Sequence, residues 1–161
     1  MAARIEKVDF NSGLRKNNFL MLLNDYAYHP MGQNKRLSDS QQKKLWSELA
    51  ERPWIHAFLA YLDNEEAVGV SVFLEGFSTF QCAPLLNIHD LYVADKYQRR
   101  GVGRALIESI SAEAVRMGCC KVTLEVLQYN HSAKSLYSNA GFTPYSNPEA
   151  GAAEFWHKKL I

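Results

Sequence analysis

The sequence contains few cysteines, no long apolar stretch and no excess of one charge. Its three cysteines, an odd number without regular spacing, argue against a secreted disulfide scaffold. The longest apolar stretch, around Ala67–Leu74, is far shorter than the roughly 20 residues that span a bilayer, and residues 1–7 lack an apolar signal core. Lys and Arg total 18 against 17 Asp and Glu, so no overall field attracts nucleic acid or an anionic membrane. We therefore expect a cytoplasmic protein with no nucleic-acid or membrane partner.

The remaining composition is that of an ordinary globular protein. Hydrophobic residues make up 47% and charged residues 22% of the 161 positions, which excludes disordered and low-complexity classes. No repeat or interdomain linker interrupts the chain. We predict a single domain, residues 1–161, long enough to bury a full core.

Hydrophobic periodicity predicts alternating strands and helices. Strands are expected at 3–10, 55–62, 67–74, 85–93, 120–127, 142–145 and 155–160, and helices at 12–28, 38–52, 102–117 and 130–141. Asn11 or Ser12 is positioned to cap the first helix, Ser38 and Gln41 form a capping box for the second, and Gly118 follows the third. This order favours a mixed sheet with helices on both faces.

The strand at 85–93 has an apolar register that changes halfway along. Leu86 and Ile88 share one parity, whereas Leu91 and Val93 share the other. Strict alternation cannot place all four on one face. One extra residue near His89, a β-bulge, would reconcile them; a strand buried on both faces is the alternative.

A basic glycine-containing turn separates that strand from the third helix. Its glycines allow close backbone approach to a ligand, and the helix N-terminus offers unpaired N–H groups to an anion such as phosphate. The local charges are Asp95 against Lys96, Arg99, Arg100 and Arg104. The turn lacks the Lys-Ser/Thr of a Walker loop and the third glycine of a dinucleotide fingerprint. Without further context, a solvated basic turn explains it equally well.

Two blocks in this order resemble the GNAT superfamily of N-acetyltransferases. The first is Gln98-Arg99-Arg100-Gly101-Val102-Gly103, which matches the family's acetyl-CoA signature Arg/Gln-x-x-Gly-x-Gly/Ala. The second comprises Asn130, Ala133, Leu136-Tyr137 and Gly141-Phe142. The resemblance implies an α/β (α+β) fold with a mixed, mostly antiparallel central sheet of six to seven strands flanked by four helices.

The resemblance also implies roles for individual residues. Acetyl-CoA would be the cosubstrate, with its pyrophosphate held by Gln98 and by backbone N–H groups of the turn, which comprises Arg99, Arg100, Gly101, Val102, Gly103 and Arg104. The pantetheine arm would lie along Leu91, Tyr92 and Val93, and its lower channel would be lined by Asn130 and Ala133. Tyr137 matches the general acid that protonates the departing thiolate; an inward-facing core tyrosine is the alternative.

The general base is open among three candidates. The stretch 86–93 looks most like the bulged strand of spermidine/spermine-type acetyltransferases, where a Glu stands at the position of His89. Histidine titrates near pH 6.5, which suits a base. Asp90 is the second candidate, and a water chain with no dedicated side chain is the third.

The acceptor is expected against the first two helices and the loop that joins them. Asp25, Tyr26, Tyr28 and Trp54 would form an aromatic, mildly acidic pocket for a cation; core or surface packing is the alternative. Phe77–Phe80 resembles the strand before the bulge in the diamine-acetylating branch, which adds Phe80 to the acceptor candidates. The five histidines show no metal-like spacing, so no metal is expected.

The sequence therefore predicts an enzyme that transfers acetyl from acetyl-CoA to a primary amine of a small molecule, by direct attack in a ternary complex. A protein N-terminal or lysine acetyltransferase is one alternative, and a non-catalytic acyl-CoA-binding sensor is another. The resemblance also makes a homodimer possible, because many members of the GNAT superfamily pair through their C-terminal strands. Its apolar contacts would be Phe155, Trp156, Leu160 and Ile161.

Overall fold

A five-stranded mixed sheet organises the first part of the chain. The computed structural model describes residues 3–62 and 65–160, in two compact units, residues 1–124 and 125–161. The sheet of the first unit has the strand order β1-β2-β3-β4-β5. The strands are β1 (Arg4–Lys7), β2 (Ile55–Tyr61), β3 (Ala67–Ser78), β4 (Ala83–Val93) and β5 (Val122–Leu124). The first four pair antiparallel, and β5 pairs parallel to β4.

Helices cover both faces of this sheet, as the order of elements predicted. On one face lie α1 (Lys16–Tyr28) and α2 (Asp39–Ala50), whose Phe19 and Trp46 form edge-to-face contacts with Phe10 at 5.4 and 5.2 Å between ring centroids. On the other face lies α3 (Val102–Arg116), which buries Leu106 and Ile110 completely. No helix within the described ranges is long and apolar enough to cross a membrane.

Two of the predicted helix boundaries are confirmed and one is wrong. The Ser38 hydroxyl accepts from the Gln41 N–H and the Gln41 side chain accepts from the Ser38 N–H, and Gly118 follows α3 with a positive φ of 71°. Helix α1, however, begins at Lys16 and has no side-chain cap. The segment before it is a turn because the Asp9 carboxylate accepts from the Asn11 N–H at 2.9 Å and Gly13 adopts a left-handed φ of 68°.

The predicted β-bulge lies at His89. Asp90 pairs with Val72, and the next pair is Ile88 with Phe73, so His89 is the additional residue on β4. Leu86, Ile88, Leu91 and Val93 pair with Glu75, Phe73, Ser71 and Gly69. These partners are alternate residues of β3, which places all four apolar side chains on one face. The bulge, rather than burial on both faces, explains the change of register.

The central sheet has fewer strands than predicted, because in the described part of the chain neither 142–145 nor 155–160 forms a strand. The second unit contains α4 (His131–Asn139) and a small antiparallel pair, β6 (Ser146–Asn147) with β7 (Gly151–Ala152). Residues 142–145 contain Pro144, which cannot donate to a ladder, and residues 154–160 have no strand partner within the described part of the chain. The strand predicted at 120–127 ends at Leu124. Ile161, one residue of the predicted dimer contact, lies outside the described residues.

A charge cluster joins the edge strand β1 to α3. The Glu113 carboxylate accepts from Lys7 Nζ at 2.8 Å and from Arg116 Nη2 at 2.7 Å, and its side chain is only 12% exposed. These hydrogen bonds, first that from Arg116, lower the pKa of Glu113 to about 2. Since the folded-state pKa is lowered, the cluster stabilises the fold above about pH 4.5, and this contribution is lost as pH falls toward 2.

Glu113→Gln is therefore expected to destabilise the protein by about 1–2 kcal/mol at pH 7 and by less at pH 3, where the carboxyl of the unfolded chain is already protonated, as measured by urea unfolding at both values. The control is Glu108→Gln, because Glu108 pairs with Arg104 on an exposed part of α3 and should hardly change the midpoint. An equal loss at both pH values for Glu113→Gln would contradict the electrostatic explanation.

Candidate active site

Beyond the bulge, one edge of β4 is open, since no strand in the described part of the chain pairs with it there. Its ladder with β5 contains only the pairs Leu86–Val122, Asn87–Thr123 and Ile88–Leu124. On the opposite side, the Ala94 N–H donates to the Val68 carbonyl of β3 at 2.9 Å. Because neighbouring residues of a strand direct their backbone groups to opposite sides, the N–H and C=O groups of Leu91 and Val93 face away from β3. An extended arm that carries amides can add to such an edge as a further strand.

The N-terminus of α3 follows this edge along the chain and leaves backbone N–H groups without helical partners. Gly101 is the N-cap residue, with a left-handed φ of 82° and no side-chain cap, and Arg99 also has a positive φ, 59°. The N–H groups of the first helical turn have no intrahelical partner, and left-handed residues in a turn direct successive N–H groups into one concavity. Gly101 is the residue that this φ favours. A phosphate site at this turn stays a prediction.

Two of the four basic side chains near this turn are neutralised by ion pairs. Lys96 Nζ pairs with Glu66 at 2.9 Å, and Arg104 Nε pairs with Glu108 at 2.7 Å. Within the described ranges, Arg99 and Arg100 are in no ion pair, although the Arg100 guanidinium lies 5.4 Å from the Tyr97 ring centroid. An anion at this turn would therefore meet mainly the charges of Arg99 and Arg100.

Asp90 is a half-buried carboxylate on the α1 side of β4. It pairs with Val72, and Tyr92, two residues along, stacks on Tyr26 of α1 at 5.6 Å between ring centroids. Burial raises the pKa of Asp90, and the charge of His89 opposes this shift. The pKa of Tyr26 is also raised, by burial first and then by Asp90. A carboxyl group with a raised pKa beside an aromatic wall has the character of a general base.

The other base candidate, His89, occupies a different environment. As the additional residue of the bulge it is exposed, whereas Asp90 is half-buried. The two neighbours are therefore chemically distinct, one solvated and the other partly desolvated.

The predicted acceptor residues do not form one pocket. Asp25 pairs with Arg36 at 2.9 Å, and the Arg36 guanidinium lies 4.8 Å from the Tyr28 ring centroid. Trp54 lies at a different level of the sheet from Tyr92. It precedes Ile55, which pairs with Leu74 of β3, whereas Tyr92 pairs with Val70 of β3. Leu74 and Val70 are four residues apart on β3, which corresponds to roughly 13 Å along the strand. Phe80 is 97% exposed beyond the end of β3. Of the predicted set, Tyr26 stacks on Tyr92, and Asp25 is close enough for its charge to help raise the pKa of Tyr92, after burial and Asp95.

The second sequence block adopts the local structure that was predicted for it. The Asn130 side chain accepts from the Ala133 N–H at 3.1 Å and so caps α4. Tyr137 lies on α4, with its ring centroid 5.9 Å from that of Phe142. The motif therefore contains its own helix cap and an aromatic pair. In residues 3–62 and 65–160, no group of three or more His, Cys, Asp or Glu side chains is arranged to hold a metal.

Comparison with known proteins identifies the family. The profile of the "Acetyltransferase (GNAT) family" matches residues 21–142, most of the chain. The chain belongs to the GNAT acetyltransferase family. It is an N-acetyltransferase with the GNAT α/β fold, whose central sheet here has five strands in place of the six to seven predicted.

Relatives within the GNAT family cover most of the chain. A thialysine N-epsilon-acetyltransferase from Bos taurus is 24% identical over 148 residues, which is 87% of this chain and 82% of the relative. A crystal structure of a probable acetyltransferase aligns over 98% of this chain and 99% of its own, with a TM-score of 0.80 and 17% identity. AAC(6')-Iy, solved with the bisubstrate analogue CoA-S-monomethyl-acetylneamine, has a TM-score of 0.75 and 15% identity over 99% of this chain and all of its own.

Sequence reasoning missed several neighbours of Asp90 and of the phosphate turn in this GNAT enzyme. His29 Nε2 lies 3.6 Å from Asp95 Oδ1, and the His29 ring centroid is 6.0 Å from that of Tyr92. Tyr92, predicted as a cosubstrate contact, packs its ring against Tyr26 of α1. Since these contacts join loops and elements distant in sequence, no periodicity indicates them. The parity of β4, once the bulge is placed, does assign Tyr92 to the α1 side.

Proposed function

We propose that this enzyme uses acetyl-CoA to acetylate a primary amine of a small molecule, by direct attack in a ternary complex. The observation that carries the proposal is the open edge of β4 that continues into the uncapped N-terminus of α3. The pantetheine arm of acetyl-CoA contains amides and ends in phosphates. It therefore requires a strand edge for the amides and, next along the chain, backbone N–H groups for the phosphates. The names of the bovine relative and of the ligand of AAC(6')-Iy support a small amine as the acceptor class.

The proposed cosubstrate contacts follow from these two features. The Leu91 carbonyl and the Val93 N–H would pair with the pantetheine arm. Backbone N–H groups from Arg99 to Arg104, with the charges of Arg99 and Arg100, would hold the pyrophosphate. Asn130 and Ala133 remain proposed contacts through the motif match. Acetyl-CoA supplies the activated acetyl group; the protein has to orient it, accept a proton from the amine and donate one to sulfur.

The amine must lose a proton before or during attack. An amine with a pKa near 10.4 costs about 4 kcal/mol to deprotonate at pH 7.4. We assign this proton to Asp90, directly or through water, because its carboxyl is half-buried, has a raised pKa and faces the α1 side. His89 and a water chain are the competing acceptors.

The remaining steps use one backbone group and one side chain. The Leu91 N–H, on the open edge of β4, would stabilise the oxyanion of the tetrahedral intermediate. Tyr137 would donate its proton to the departing thiolate, a role that rests on the match of Asn130, Ala133, Tyr137 and Phe142 to the second family block. No cysteine is required, because the amine attacks the thioester itself.

An acceptor panel tests the proposed function. CoA-thiol release from acetyl-CoA would be followed with amino acids and thialysine, diamines and polyamines, aminoglycosides, and short peptides, at pH 7 and 8.5. We expect turnover with one small-amine class, and faster turnover at pH 8.5 because more of the amine is neutral. Turnover confined to peptides would identify a protein acetyltransferase, and acetyl-CoA binding without turnover would identify a sensor.

Arg99 permits a separate test of the phosphate site. Its left-handed backbone costs an L-residue about 1 kcal/mol, so Arg99→Gly removes the guanidinium and relieves strain together. We expect acetyl-CoA to bind about tenfold more weakly, with less salt dependence, to a protein at least as stable as the wild type. Titration calorimetry at two ionic strengths and thermal unfolding measure this.

Lys43→Gln, which removes one exposed charge from α2, controls for net charge. Unchanged affinity in Arg99→Gly would contradict the assigned phosphate contact.

A further inference from the structure

The Gln98 side chain bends back toward the strand that precedes it. Its Nε2 donates to the Val93 carbonyl at 3.2 Å and to Asp95 Oδ1 at 2.9 Å. The backbone between these residues forms a turn of 3-10 helix, Asp95–Tyr97, in which the Tyr97 N–H donates to the Ala94 carbonyl at 2.8 Å. One amide group therefore connects the last residue of β4 with the first residue of this turn.

The strand end of this connection lies on the open edge of β4. The Val93 carbonyl faces away from β3, on the side where the β5 ladder has already ended. The other end, Asp95, has a second neighbour, since His29 Nε2 lies 3.6 Å from the same carboxylate oxygen. His29 Nδ1 accepts from the Met31 N–H at 3.1 Å, so in the neutral ring Nε2 carries the proton and presents it to Asp95.

We propose that Gln98 and Asp95 are positioning residues that clasp the phosphate turn to the end of β4. The inference rests on the proposed function and assigns different roles to the backbone of the turn and to the Gln98 side chain. The backbone of the turn binds the anion, whereas the Gln98 side chain, first in the motif, fixes the turn. Arg99 and Gly101 follow immediately with positive φ, and such residues keep their N–H groups convergent only while the surrounding structure holds them. Preorganisation of this kind increases affinity by reducing the ordering cost of binding.

Gln98→Leu tests the clasp because leucine approximates the size of glutamine but has no donor. We expect Kd and KM for acetyl-CoA to rise about five- to tenfold, kcat at saturation to stay within twofold, and amide exchange of residues 99–104 to become faster in the free protein. Gln98→Arg, which keeps N–H donors, should restore the affinity to within about twofold. Asp95→Ala removes only one of the two Gln98 bonds, so it should weaken binding less than Gln98→Leu, and the double variant should add little to Gln98→Leu.

The matched control is Gln42→Leu, because Gln42 Nε2 also donates to a backbone carbonyl, that of Leu37 at 3.1 Å, away from the turn. Wild-type affinity and exchange in Gln98→Leu would overturn the clasp and leave the proposed function intact. An equal fall in kcat and in affinity, or failure of Gln98→Arg to restore binding, would also overturn it. A wild-type protein that binds no acetyl-CoA would instead overturn the proposed function, and the clasp with it.

Discussion

Tyr137→Phe is expected to lower kcat by about 10²–10³-fold while Kd for acetyl-CoA stays within twofold. The substitution removes only the hydroxyl group, whose proton we assign to the departing thiolate. General acid catalysis typically contributes 10²–10⁴-fold. The ring remains, so its packing near Phe142 should persist. Steady-state kinetics with the acceptor identified by the panel, together with calorimetric titration of acetyl-CoA, measures both quantities.

The control for this variant is Tyr129→Phe. Tyr129 is exposed, precedes α4 and has no assigned role, so its variant should retain wild-type kcat. Equal losses of turnover and affinity in Tyr137→Phe would indicate a structural or binding role instead. Retention of full activity would leave the acid unassigned and favour water as the proton donor.

Asp90→Asn has the second large expected effect, a fall in kcat of about 10²-fold or more with little change in KM for acetyl-CoA. The asparagine keeps the size of the side chain but cannot accept the amine proton. Because burial raises the pKa of Asp90, wild-type activity should decline on the acid side at a higher pH than an ordinary aspartate would produce. This decline should disappear in the variant, as a pH profile of kcat will show.

Stability measurements separate catalysis from unfolding in this variant. Because folding raises the pKa of Asp90, the folded state disfavours the charged carboxylate. The charged group therefore lowers the free energy of unfolding at pH values above its folded-state pKa. Asp90→Asn should therefore unfold at the same or a higher temperature than the wild type at pH 8. His89→Asn, at the exposed neighbour, should change kcat less than fivefold. A large loss in His89→Asn, with Asp90→Asn nearly active, would transfer the base role to His89.

The parts of the fold that local patterns determine could be predicted from the sequence. The change of parity between Ile88 and Leu91 located the bulge because a buried face tolerates no change of register without an extra residue. The Ser38 capping box and the Asn130 cap were predictable for a similar reason, since cap and partner lie only three residues apart. The basic turn was likewise recognisable from contiguous residues.

The parts that depend on distant partners could not be predicted. Residues 155–160 have apolar residues in a strand-like pattern, but a strand needs a neighbour, and none in the described part of the chain pairs with them. The start of α1 depends on the Asp9 side chain, which stabilises a turn in place of the expected cap. The predicted acceptor pocket did not include Arg36, which pairs with Asp25 across 11 residues of sequence, because no periodicity indicates such a contact.

Hydrogen exchange with and without saturating acetyl-CoA is the measurement that tests the central claim most directly. If the open edge of β4 and the turn before α3 bind the cosubstrate, amide protection should increase at residues 91–93 and 99–104. The ladder between β1 and β2, which lies away from this edge in the sheet order, should be unchanged and serves as the internal reference. Protection confined to other residues, or no protection at concentrations that support turnover, would contradict the proposed site.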